Sequence, residues 1–192
     1  MNFNKLTLKA QEAVQNAQQI GADNENQAIE PVHVLVAMLQ DSDGVVVPVL
    51  TKVGVNAEFI RQKSDDLVRA LPKVQGFGGT HLSNDTQRVL QDAFKEASGL
   101  SDEYISTEHL LLAMIASKNS AGQLLKDQGL TRDAVLKVLK ELRGNRRITD
   151  QNPEDKYQSL QKYARNLNEE ARKGKIDPVI GREEEIRRVL QV

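Results

Sequence analysis

Eleven residues recur 76 positions apart: Ile29-Glu-Pro-Val-His33-Val-Leu-Val-Ala37-Met38-Leu39 and Ile105-Ser-Thr-Glu-His109-Leu-Leu-Leu-Ala113-Met114-Ile115. Without a gap the copies agree at Ile, His, Leu, Ala and Met, and exchange one aliphatic residue for another at three further places. Any fold for this chain must use that segment twice, so the sequence is read as one structural unit repeated.

Each copy predicts four helices. In the first, Thr7 stands as an N-cap and Leu8, Ala10, Ala13, Val14, Ala17 and Ile20 recur at helical spacing as far as Gly21. Pro31 then opens the repeated helix, with Val32, Leu35, Val36 and Leu39 as its apolar stripe. A short helix over Val45 to Lys52 ends at Gly54, and Asn56 caps a fourth that runs towards Pro72. The second copy follows suit: Ser83 caps a helix carrying Val89, Leu90, Ala93 and Ala97, and Ser106 or Thr107 opens the repeated helix. Ala121 to Gln128 is the short one, and Gly129-Leu130-Thr131 restarts the chain as Gly54-Val55-Asn56 does. Aromatics are only 4% of the chain, which suits helices packed through aliphatic side chains.

The expected fold is therefore all-α: two four-helix units, residues 6–71 and 82–143, related by a pseudo-twofold axis within a domain of residues 1–144, with a groove where they meet. A glycine-rich linker, 72–81 and including His81, joins them. Residues 145–176 read as a polar linker with a charged connector helix from Glu154 to Lys173. A last helix from about Glu183 reaches Val192 with no core of its own, so the chain is expected to be a piece of a longer one.

Composition excludes several functions. A net charge of -1 gives no field for nucleic acid or an anionic membrane, so neither is an expected partner. Without cysteine there is no disulfide or thiolate metal site, and no apolar run approaches the roughly 18 residues of a membrane span. A cytoplasmic protein is expected. His33, His81 and His109 have no carboxylate pair at a ligand spacing, so no metal site is expected; His33 and His109 read as structural residues near helix starts. No Ser/His/Asp spacing supports catalysis.

The segment Asp177-Pro178-Val179-Ile180-Gly181-Arg182, continuing through Ile186-Arg187-Arg188-Val189, resembles the opening of the first AAA+ ATPase module in the Hsp100/Clp family. The repeats are similar to the α-helical Clp N-terminal domain. Leu71-Pro72-Lys73-Val74-Gln75-Gly76 and Thr149-Asp150-Gln151 resemble the ClpB/Hsp104-type disaggregases more than their protease-partner relatives. That resemblance implies a hexameric ATPase, using ATP and Mg²⁺ and with an Hsp70 system as a candidate partner, whose N-terminal domain binds exposed apolar segments of unfolded or aggregated proteins. The alternative is an adaptor-docking or regulatory domain of a Clp protease ATPase. The phosphate-binding run G-x-x-x-x-G-K-[ST] is absent, since Gly174-Lys175 precedes Ile176, so this chain is expected to be no enzyme and to hold no cofactor. Val179 and Ile180 would be half an adenine site.

The resemblance places Thr7, Ser83, Asp102 and Glu108 in the substrate-engaging region, and comparison of the copies adds Phe94 and Tyr104, with Leu90 beside Phe94 on its helix. Phe94 stands opposite Gln18, Tyr104 opposite Ala28, and Glu108 opposite Val32. Where one copy is apolar and its twin polar, the shared fold does not demand burial.

Overall fold

The computed structural model describes residues 3–74, 79–144, 147–153, 167–172, 174 and 181–190. The chain divides into two units, Met1–Tyr157 and Gln158–Val192.

The first unit is all-helical apart from short strands. A 3-10 turn at Phe3–Lys5 leads into α1 (Leu8–Asp23), β1 (Ala28–Ile29), α2 (Pro31–Gln40), α3 (Val46–Val53) and α4 (Ala57–Arg69). The second copy supplies β2 (His81–Leu82), α5 (Asn84–Gly99), α6 (Thr107–Ala116), α7 (Ser120–Asp127) and α8 (Arg132–Arg143). The helix starts follow the sequence. Thr7, Asn56, Ser83 and Thr131 each accept a backbone N–H three residues on, as N-caps do. Gly54 and Gly129 both take the left-handed conformation, φ 90° and 79°, that turns the chain sharply from α3 into α4 and from α7 into α8.

Two helix details differ from expectation. α1 continues past Gly21 to Asp23. Gly21 serves packing: a Cβ there would run into Ile29 Cδ1. The repeated helix, expected to be amphipathic, is buried on every side, from Pro31 to Leu39 in α2 and from Thr107 to Ile115 in α6. Helix α1 lies across α2 and α5 across α6, while α2 also meets α5, α6 and α7. Both copies therefore share one core, in which Leu35, Met38, Leu111 and Met114 are wholly enclosed.

The sharing is reciprocal. α3 of the first copy packs on α8 of the second, and α7 of the second on α4 of the first. The backbone does the same. Ile29 pairs in parallel with Leu82, and Leu6 with Ile105, so each copy's entry segment hydrogen-bonds to the other copy's approach to its buried helix. Thr7 N–H donates to Ile105 O at 2.9 Å and Ser83 N–H to Ile29 O at 3.0 Å. His81, expected in an undirected linker, is thus a strand residue.

The segment after α8, expected to be linker, packs on this unit. Ile148 is fully buried, Glu103 N–H donates to Ile148 O at 2.8 Å, and Leu8 N–H donates to Gln151 O at 2.8 Å. In the second unit, α9 (Leu167–Arg172) is the described part of the expected connector helix, and α10 is Glu183–Leu190. Val179 and Ile180 lie outside the described residues.

Candidate functional site: a buried ionic cluster and an apolar seam

The entries to α2 and α6 are built alike. The N-cap backbone N–H, of Glu30 or Ser106, donates to Nδ1 of the histidine three residues on, at 2.9 and 3.0 Å. Each ring therefore carries its proton on Nε2, which faces Asn26 Oδ1 in the first copy and Asp102 Oδ2 in the second, both at 3.0 Å. Just before these partners, Glu25 and Ser101 take twin left-handed conformations, φ 58° and 59°.

Beyond the histidines the copies diverge. Arg143, in the last turn of α8, places Nη1 2.8 Å from Asp102 Oδ2 and 2.6 Å from Glu108 Oε1. Asp102 Oδ1 accepts the Ile148 N–H at 2.8 Å. The side chains of Asp102 and Glu108 are 0% and 2% exposed and that of Arg143 10%. Burial alone would raise the Asp102 carboxyl; the hydrogen bonds from His109, Ile148 and Arg143, with the arginine's charge, outweigh it and hold the group below its ordinary value. Burial pushes the Glu108 carboxyl up, with the charge of Arg143 opposing. His33 is pushed down by burial, opposed by the Glu30 carbonyl oxygen, which lies 3.3 Å from Nδ1 and favours the protonated ring.

Asp102, Glu108 and His109 are close enough together to resemble a metal site, a grouping that spacing did not suggest. The Arg143 guanidinium bonds both carboxylates, so the cluster already holds its cation.

The residues expected to meet substrate divide accordingly. Thr7, Asp102, Tyr104 and Glu108 come together around the entry to α6, where Lys5 Nζ lies 5.6 Å over the Tyr104 ring. Ser83 stands at the equivalent place in the first copy, its hydroxyl donating to Glu30 Oε2 at 2.9 Å. Thr7, Leu90 and Glu108 are buried, and the Asp102 side chain is enclosed by its partners, so none offers a free surface here. Phe94 and Tyr104 are half-exposed; Phe94 also packs against the shared core.

Two cavities of similar size differ in character. One, of about 440 Å³, lies along α1 and α2 and is rimmed by charges that pair among themselves, Lys9 with Glu12 and with Asp41. The other, of about 460 Å³, opens between α4 and α7, with Leu67 and Leu124 among its walls. This apolar seam is an example of the groove expected where the copies meet.

An all-helical pair of copies sharing a core and exchanging entry strands defines the class of double-repeat Clp N-terminal domains. The chain belongs to the Clp repeat N-terminal domain family, whose sequence description matches residues 5–128. Along its whole length it is 45% identical to the chaperone protein ClpB of Bacteroides thetaiotaomicron, and over 97% of its length 44% identical to that of Corynebacterium diphtheriae. It spans about a fifth of these relatives, 22% of each. In fold it is similar to the Hsp104 N-terminal domain from Candida albicans, with a TM-score of 0.69 and 20% identity over 78% of this chain and 99% of that one. A ClpV N-domain in complex with a VipB peptide matches with a TM-score of 0.59 and 16% identity over 71% and 86% of the two chains.

Proposed function

We propose that the chain is the substrate-engaging N-terminal region of an ATP-dependent protein disaggregase, binding exposed apolar segments of unfolded or aggregated polypeptides and passing them to a hexameric AAA+ ring. ATP and Mg²⁺ belong to that ring. The observation that carries this reading is the match of the whole chain to ClpB chaperones. The open apolar seam supports it: a shallow groove gains affinity from buried area without demanding a fixed hydrogen-bond pattern, so binding is weak and tolerant of sequence. Presenting six copies on a ring raises the overall affinity.

The peptide complex of the related ClpV N-domain favours a second reading, docking of one defined partner. Titration with a reduced, unfolded test protein and with its native form separates the two. Preference for the unfolded form is expected; equal indifference to both overturns the proposal in favour of partner docking.

A further inference from the structure

The seam between α4 and α7 has a pseudo-symmetric twin between α3 and α8, and the two are filled differently. Near the Gly54 and Gly129 turns the copies run 75 residues apart, so Lys63, Ser64, Ser120 and Leu124 correspond to Val138, Leu139, Val45 and Val49. The four twins close their seam, with exposures of 7%, 2%, 6% and 0%. On α4, Lys63 lines the open seam with its side chain 52% exposed, and the next residue, Ser64, is fully buried with no hydrogen-bond partner for its hydroxyl. Three of the four apolar residues that seal one seam are thus polar in the other, and a cavity of about 460 Å³ opens there. An unsatisfied buried hydroxyl and an unfilled apolar space both cost stability.

Charge selects the occupant. Lys63 is engaged by Asp66 at 3.7 Å and by the Phe59 ring at 5.9 Å, while no described ion pair reaches Asp127 on the facing helix. The lining therefore carries a net negative charge, and Asp127 replaces the Lys52 of the closed twin.

We propose that the α4–α7 seam is a binding groove for extended unfolded chain, taking one aliphatic or aromatic side chain between Leu67 and Leu124 with an adjacent Lys or Arg facing Asp127. This rests on the reading that the domain engages unfolded polypeptide, and it names the place and the preferred sequence.

The test uses the 192-residue chain and three labelled peptides: leucines flanked by lysines, the same with glutamates for lysines, and the same with serines for leucines. The first should bind best. Lys63→Val with Ser120→Val, which copies the closed seam, should weaken it about tenfold, as losing one buried aliphatic side chain does. Asp127→Lys, at an exposed position, should reverse the preference between lysine and glutamate peptides. Unchanged affinity in the filled variant, with binding of the reduced protein retained, overturns the groove assignment. Equal affinity for the lysine and glutamate peptides overturns the charge preference. A chain that binds neither peptide nor unfolded protein overturns the proposed function itself.

Discussion

The first copy holds its exit by neutral hydrogen bonds, the second by ions. Asn26 accepts from His33 and donates to Pro72 O at 3.1 Å, and Val32 and Val68 are both buried. At the matching positions the second copy has Asp102, Glu108 and Arg143, which tie α8 and Ile148 to the start of α6. One backbone geometry thus tolerates an apolar or an ionic filling, provided the charges arrive together. The ionic version is not thereby more stable: desolvation offsets most of the attraction within a buried pair, whereas removing one member strands the others.

The largest expected effect comes from breaking that balance. Arg143→Ala leaves two carboxylates without their cation and should cost about 3–5 kcal/mol in urea unfolding. Installing the first copy's solution, Asp102→Asn with Glu108→Val and Arg143→Val, should restore stability to the parent level or above it. A triple variant as unstable as the single one would show that the ions contribute net attraction.

A smaller effect should follow from exchanging the residues that pack on Ile29 and Ile105. Gly21 corresponds to Ala97, which fits without difficulty in the second copy. Gly21→Ala drives a methyl into Ile29 Cδ1, the free end of a side chain that can turn aside, and the helix gains from losing a glycine, so the net cost should be at most about 1 kcal/mol. Ile29→Val in the same chain should recover part of that loss in a thermal melt.

The smallest effect is the pH response, which also separates the copies. His33 has a folded pKa below its ordinary 6.5, so the unfolded chain takes up the proton first and stability falls as the pH drops below about 6.5. The loss is at most about 1.4 kcal/mol per pH unit crossed, and His33→Gln should flatten it between pH 7 and 5.5. Asp102 has a lowered pKa, so its contribution is complete above 3.8 and is lost as the pH falls through its folded value; Asp102→Asn should alter only that acid limb of the unfolding curve. Glu108 acts with the opposite sign, its contribution being complete below 4.5 and lost as the pH rises through its raised folded value.

Much of this was legible in the sequence because its causes are local. The caps at Thr7, Asn56, Ser83 and Thr131, the turns at Gly54 and Gly129 and the duplication itself are carried by residues a few positions apart. The exchanged strands were not legible, since two residues are too few to show an alternating pattern. Arg143 was missed because it reads as an ordinary basic residue in a last helical turn, 41 positions from Asp102. A signal was available: Asn26 to Asp102, Val32 to Glu108 and Val68 to Arg143 are neutral-to-charged changes at three twin positions, and they include both signs. Comparing one pair at a time marks Glu108 as a candidate contact; comparing all three marks it as one side of an internal ion pair.

The exchanged entry strands carry a consequence for assembly and folding speed. Leu6 finds its partner 99 residues away at Ile105, and Ile29 finds Leu82 53 residues away, so neither ladder forms until both halves of the chain are present. Such distant pairings slow folding relative to a helical bundle closed by local contacts. A polypeptide ending near residue 74 would keep its buried helix but lose the strand that covers Ile29. Leu6 is the twin of Leu82, so two such polypeptides can cover each other's Ile29 with their Leu6 segments about a true twofold axis, making the half-domain a candidate for strand-exchanged dimerisation.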